Sequence, residues 1–73
     1  MSPQNLTQAA NEIMAHIVIA RENGTQEDYE GARAQLAQAK KILSNARGAG
    51  YSSDHPILVS CESHINFLEE TLP

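Results

Sequence analysis

Apolar residues recur along this chain at the three- and four-residue spacing of amphipathic helices, and no stretch alternates like a β-strand. The spacing predicts an all-α protein, an up-down-up three-helix bundle over about residues 3–23, 26–47 and 56–72. A Gly- and Ser-rich loop separates the last two helices and ends at Pro56. The predicted core faces are Leu6, Ala10, Ile13, Ile17 and Ala20 in helix 1, Tyr29, Ala32, Leu36, Ala39, Leu43 and Ala46 in helix 2, and Ile57, Leu58, Cys61, Ile65, Leu68 and Leu72 in helix 3.

Local signals predict where the first two helices begin and end. Ser2 is the predicted N-cap of helix 1, and Pro3 occupies its first position, where a missing amide hydrogen is tolerated. Gly24 is the predicted left-handed residue that ends this helix near residue 23. Thr25 and Asp28 lie three residues apart and predict a capping box for helix 2.

Four large apolar side chains fall outside the predicted core faces. Val18 and Ile19 lie to the sides of the helix 1 stripe, and Val59 and Phe67 lie outside the helix 3 stripe. A close bundle buries some such residues, whereas exposed ones form a docking or oligomer surface. We therefore interpret Val18, Ile19, Val59 and Phe67 as the candidate partner-binding residues.

Size and charge narrow the classes of function. The 73 residues predict one domain spanning 1–73, near the lower size at which an apolar core holds a fold unaided, so self-association would stabilise it. The net charge of −4 argues against binding to nucleic acid or to anionic membranes. The absence of a signal sequence and of a membrane-spanning apolar run, together with the single Cys61, predicts a soluble cytoplasmic protein.

A row of basic residues follows the border of the helix 2 core face. Arg33, Lys40 and Arg47 recur every seven residues, starting beside Tyr29, and such a row is able to bind an acidic peptide or a small anion such as a nucleotide. The alternative is that the aliphatic stems cover the edge of the core while the charges stay in water. These four residues are the candidate anion-binding site.

The sequence contains no recognisable catalytic, cofactor or metal motif. Cys61 and His64 lie three residues apart on helix 3, but no third group orients them, and Cys61 falls within the core stripe. Adding His16 and His55 does not produce the spacing of a zinc site. We predict no catalytic residue, no metal ligand and no cofactor, and therefore a protein that is not an enzyme.

The stretch from Asp28 to Leu43, DYEGARAQLAQAKKIL, resembles the second helix of the microtubule-interacting and transport (MIT) domain, and it is also similar to tetratricopeptide helical hairpins. In the MIT family an Asn/Asp-Tyr-Glu-x-Ala opening precedes small and apolar residues at helical spacing. The resemblance implies a three-helix fold and a peptide-docking adaptor, because members bind short peptide segments in grooves beside the third helix. Gly31, the longer turn before Asp28 and the Gly-rich loop after Arg47 depart from the family pattern.

Taken together, the patterns favour a non-enzymatic helical module that binds a partner protein or peptide, as an adaptor or a small inhibitor. Two alternatives remain open. One is a homo-oligomer that binds a small anionic ligand through the basic row. The other is a structural subunit that is stable only within a larger complex.

Overall fold

The computed structural model describes residues 5–52 and 54–73, and these residues form three α-helices. Helix α1 spans Leu6–Thr25, α2 spans Tyr29–Gly48 and α3 spans Pro56–Thr71. No strand occurs in these two ranges, so the predicted all-α three-helix bundle is confirmed. Over the same residues, none of the helices combines the length and the apolar character needed to cross a membrane.

Side-chain pairs between helices show how α2 and α3 run. Arg47 on α2 pairs with Glu62 on α3, and Lys40 pairs with Glu69. Moving seven residues back along α2 therefore corresponds to moving seven residues forward along α3. The two helices are antiparallel.

The contacts between α1 and α3 indicate that these two helices run in the same direction. Met14 and Cys61 line one depression between these helices, and a β-carbon placed on Gly24 would lie 3.4 Å from Leu72 Cδ2. Both pairs are separated by nearly the same number of residues, so α1 and α3 run parallel. Antiparallel neighbours joined in sequence and a parallel pair of outer helices make up the up-down-up arrangement.

The core lies along the three stripes that the helical spacing predicts. Burial of these side chains removes their apolar surface from water, which is the main source of stability in a bundle of this size. Five residues predicted on core faces are only partly buried, namely Leu6, Ala10, Tyr29, Ile57 and Leu72. Ala9, which lies outside the predicted stripe, is buried. The buried residues are Ala9, Ile13, Ile17 and Ala20 on α1, Ala32, Leu36, Ala39, Leu43 and Ala46 on α2, and Leu58, Cys61, Ile65 and Leu68 on α3.

Within the described residues, helix α1 begins at Leu6 with Asn5 as its N-cap. Asn5 has an extended backbone, and its side-chain oxygen accepts a hydrogen bond from the Gln8 amide at 2.7 Å. Asn caps a helix as well as Ser does, and this cap lies next to the first apolar position of the stripe. Ser2 and Pro3, the predicted cap and first residue, lie outside the described residues.

The end of α1 differs from the prediction, because the helix continues through Gly24. The left-handed residue is Glu27, with φ of 63°. The Asp28 amide donates to the Asn23 carbonyl at 2.8 Å, and the Glu27 amide donates to Gly24 at 3.1 Å. This bonding pattern is a Schellman motif. Gly24 lies inside α1 where the helix packs against Leu72, at a distance that would also accommodate a β-carbon.

The start of α2 shows that the predicted capping box is wrong. Thr25 is the last residue of α1, and its hydroxyl donates to the Arg21 carbonyl at 3.0 Å. Asp28 is the N-cap of α2, and its carboxylate accepts from the Gly31 amide at 3.1 Å. The Schellman turn brings Asp28 directly to the α2 terminus, so the acidic residue caps the helix without Thr25. The predicted start of α3 at Pro56 is confirmed, with His55 as its N-cap.

Candidate protein-binding groove between the first and third helices

The four large apolar side chains outside the core faces are exposed to solvent. The exposed fractions are 48% for Val18, 42% for Ile19, 44% for Val59 and 66% for Phe67. Single exposed apolar residues are common on protein surfaces and need no function. What matters is whether any of the four lies beside further accessible apolar surface.

The surface between α1 and α3 contains two depressions. The first depression, near the start of α3, has a volume of about 380 Å³, and the second, near the ends of α1 and α3, has about 410 Å³. We call the two together the α1–α3 groove. The first depression is lined by Ala10, Met14, Pro56, Ile57, Ser60, Cys61 and His64.

Phe67 belongs to the second depression, where it lies with Tyr29 and Leu72. This part of the groove forms because the ends of α1 and α3 meet the start of α2, so that residues of all three helices line the same surface. Arg21 and Thr25 line it on the α1 side. The most exposed aromatic residue of the described chain is therefore at the edge of a groove and not isolated.

Val18 lies on the same side of α1 as the groove. It follows Met14 by four residues and precedes Arg21 by three, and residues at these spacings are neighbours on a helix surface. Met14 lines the first depression and Arg21 the second. Val18 is thus located between the two depressions, at the level of Phe67 given the parallel alignment of α1 and α3.

Ile19 and Val59 point away from the groove. Ile19 is one turn after His16, whose Nδ1 lies 2.7 Å from Gln35 Oε1 on α2, so it lies on the α2 side of α1. Val59 is one turn before Glu62, which pairs with α2, and so lies on the α2 side of α3. Of the four predicted residues, Phe67 lines the groove, Val18 lies on the groove side of α1 by its spacing, and Ile19 and Val59 lie on other sides of their helices.

Arg21 gives the groove its charge. Among the described residues that line the two depressions it is the one Arg, Lys, Asp or Glu side chain, and it makes no ion pair with any described acidic residue. In a chain with a net charge of −4, this is a locally basic position on apolar surface. Helical spacing does not identify Arg21, Met14 and Ile57 as groove-lining residues, because that role depends on how α1 and α3 pack together.

The Cys61 thiol lines the floor of the first depression, with 3% of its surface exposed. Burial raises the pKa of Cys61 above its usual value of 9.0, because the charged thiolate loses solvation. A protonated thiol is a weak nucleophile and a poor metal ligand. Although His64 lines the same depression, Cys61 behaves chemically as a small apolar core residue.

The other histidines are occupied by structural contacts. His16 bonds Gln35 across α1 and α2, and His55 Nδ1 accepts a hydrogen bond from the Ile57 amide at 3.2 Å as the cap of α3. In the described part of the chain, no group of three His, Cys, Asp or Glu side chains is placed to hold a metal ion.

The predicted basic row on α2 lies against acidic residues of α3. Arg47 Nη2 donates to Glu62 Oε2 at 2.9 Å, and Lys40 pairs with Glu69. Arg33 donates to the carbonyl oxygen of Pro73. Each cation of the row therefore has a partner within the chain, and an anionic ligand would have to compete with these partners.

Between the two ion pairs lies a smaller depression of about 220 Å³, lined by Ser44, Ile65 and Asn66 as well as by the paired residues. Tyr29, the fourth member of the predicted anion site, lies in the second depression of the α1–α3 groove instead. The structure therefore does not bring all four predicted anion-binding residues to one surface.

Comparisons with known proteins give no relative to set beside this geometry. No protein-family model matches the chain, and neither the curated proteins nor the solved structures that were compared with it contain a match.

Proposed function

We propose that the protein is a non-enzymatic interaction module that binds a segment of another protein in the α1–α3 groove. The observation that carries this proposal is that the exposed Phe67 lines a depression between α1 and α3. Helical spacing places the exposed Val18 next to Met14 and Arg21, which line the two depressions from α1. Exposed apolar side chains that flank a concave apolar surface are typical of docking sites, whereas scattered ones are not.

The partner segment that fits this groove is amphipathic and acidic. Its apolar side chains would occupy the first depression, around Met14 and Ile57, and pack beside Phe67. A carboxylate on the segment would pair with Arg21, which has no acidic partner among the described residues. Complementary charge adds specificity and speeds association, and apolar contact supplies most of the affinity.

The resemblance of residues 28–43 to the MIT domain supports the same proposal, since that family binds peptide segments beside its third helix. Whether the protein serves as an adaptor or as a small inhibitor depends on the partner. The proposal assigns no catalytic role, in keeping with the protonated, buried Cys61.

The alternative of an anionic ligand on the basic row has less support from the geometry. Lys40 and Arg47 are already paired with Glu69 and Glu62 across α2 and α3, so their positive charges are balanced. A ligand phosphate would therefore gain less there than beside a cation that has no acidic partner among the described residues, such as Arg21.

Selection of peptides from a random library displayed on phage tests the proposal. We expect selected peptides to combine apolar residues with Asp or Glu. Their affinity should fall at least tenfold, about 1.4 kcal/mol, in the Phe67→Asp variant, because the substitution places a charge beside the apolar surface. Arg21→Glu should weaken the same peptides and favour derivatives whose acidic residue is replaced by Lys.

Two exposed residues on the other flanks of the helices provide matched controls. Val59→Asp and Ile19→Asp introduce the same charge at residues of similar exposure, but they lie on the α2 sides of α3 and α1. We expect both variants to bind the selected peptides as tightly as the wild type does. If Val59→Asp and Phe67→Asp weakened binding equally, or if no peptide were enriched, the proposed groove would be wrong.

A further inference from the structure

We propose that a second copy of this chain covers the α1–α3 groove when no partner segment is bound, and that each copy inserts Phe67 into the first depression of the other. The inference rests on the proposed function, because it concerns regulation of the same surface. Dimerisation would hide the groove, so a partner segment would bind only the monomer.

The α1–α3 groove carries both a projection and a hollow. Phe67, two-thirds exposed, forms the projection together with Val18 at the same level of α1. The first depression forms the hollow, with Ile57 and Cys61 on α3 and Met14 on α1. A surface that carries both shapes is able to complement itself.

The spacing of the two features suits a two-fold axis. The middle of the first depression, near residues 60 and 61 of α3, lies about seven residues from Phe67, which is roughly 10 Å along the helix. A two-fold axis perpendicular to the groove and midway between them passes near His64. Rotation about it places each Phe67 over the other copy's depression, as an isologous interface requires.

The charges around the hollow permit this insertion. The first depression is lined by apolar side chains with Ser60 and His64, and no Arg, Lys, Asp or Glu is among its lining residues in the described chain. Phe67 would therefore be buried without covering an unpaired charge, which would be costly. The second depression, with Arg21, lies on the far side of Phe67 from the axis, and the two Arg21 side chains remain apart.

The small size of the bundle favours this assembly further. A chain of 73 residues buries a limited fraction of its apolar surface by itself, and burial of Phe67 and Val18 in a dimer adds to it. The acidic residues Glu62 and Glu69 pair with α2, so their charges lie away from the first depression.

Sedimentation velocity over a concentration series, without any peptide, tests the proposal. We expect the wild-type chain to shift from monomer to dimer as its concentration rises. Phe67→Asp should weaken this association at least tenfold, while Val59→Asp, on the same helix but on the α2 side, should leave it unchanged. A wild-type chain that stays monomeric throughout, or an equal loss in both variants, would overturn the inference.

Cross-linking at the axis gives a second and independent test. In a Cys61→Ala background, His64→Cys should form an intermolecular disulfide much faster than Ser63→Cys, because the two His64 positions face each other near the two-fold axis. Both residues are exposed in the monomer, so accessibility does not separate them. Equal rates at the two positions would exclude the proposed interface even if a dimer were present.

The experiments distinguish a failure of the dimer proposal from a failure of the partner-binding proposal. A monomeric chain whose selected peptides depend on Phe67 would contradict the dimer alone. A Phe67-dependent dimer for which no peptide can be selected would contradict partner binding alone. If both proposals hold, a selected peptide should shift the wild-type protein from dimer to monomer, since the two occupants share the groove.

Discussion

At the scale of single residues, Glu27 shows where this chain holds backbone strain. Its φ of 63° lies in the left-handed region, which side chains with a β-carbon adopt at a cost of about 1–3 kcal/mol. The Schellman motif that ends α1 requires such a residue at this point, because the amides of Glu27 and Asp28 must turn back to Gly24 and Asn23. Glycine satisfies the same geometry without that cost.

We therefore expect Glu27→Gly to stabilise the protein by about 1 kcal/mol, less than the full strain because glycine also gains entropy in the unfolded chain. For a chain of this size that corresponds to a rise of about 4–8 °C in the melting temperature, measured by circular dichroism. Glu22→Gly is the matched control, since it removes the same charge from an exposed position inside α1. It should destabilise by about 1 kcal/mol, and stabilisation by both substitutions, or by neither, would contradict this explanation.

At the scale of helices, the beginning of α2 couples a cap to a glycine. The carboxylate of Asp28 accepts a hydrogen bond from the Gly31 amide, and a β-carbon on residue 31 would lie 2.3 Å from Asp28 Oδ2. No atom fits at that distance, so any side chain on residue 31 displaces the capping carboxylate. Gly31 therefore lowers helix propensity within α2 but permits the cap that starts the helix.

A double-mutant cycle tests this coupling by chemical denaturation. Gly31→Ala should have a net effect near zero in the wild type, because a gain of about 1 kcal/mol in helix propensity is offset by a loss of about 1 kcal/mol in capping. In the Asp28→Ala background no cap remains to be lost, and the same substitution should stabilise by about 1 kcal/mol. Equal effects of Gly31→Ala in both backgrounds would show that the two residues act independently.

The helices also show what sequence reasoning predicts and where it stops. The stripes through Ile13 and Ile17, or through Leu36 and Leu43, follow from helical spacing alone, and the structure buries them. Two helix ends differ from the prediction for different reasons. Gly24 satisfies the rule for a left-handed residue, but the structure gives that conformation to Glu27, which the rule does not favour. Thr25 and Asp28 are both suitable N-caps, and Asp28 is the one that caps α2. Hydrogen bonds across the whole turn decide between them, and a local pattern does not contain that information.

The α1–α3 groove cannot be predicted from helical spacing alone. The spacing was sufficient to show that Val18 and Phe67 lie outside the core faces, but it also selected Ile19 and Val59, which point elsewhere. Only the packing of α1 beside α3 shows that Phe67 and Arg21 line the same depression, on the side of α1 where Val18 also lies.

At the scale of the whole molecule, stability and partner binding both depend on the α1–α3 groove. A three-helix chain of this length has a small margin of stability, so any partner that binds only the folded state raises its melting temperature appreciably. If a second copy occupies the α1–α3 groove, the folded state is stabilised by its own concentration. The exposed Phe67 would then contribute to stability only in the dimer, since it packs little surface within one copy.

The melting temperature of the wild-type chain should consequently rise with protein concentration. Each tenfold increase changes the free energy of a fully dimeric state by about 1.4 kcal/mol, or about 0.7 kcal/mol for each copy, which corresponds to about 3–6 °C. Phe67→Asp should show a smaller rise over the same concentrations, because that substitution weakens the dimer, whereas Val59→Asp should retain the full dependence. When a selected peptide is present, the melting temperature should depend on the peptide concentration and no longer on the protein concentration. Both occupants stabilise the same folded chain through the same groove. A wild-type melting temperature that did not change with concentration would mean that the groove is open in the isolated protein, and that Phe67 is available to a partner at all times.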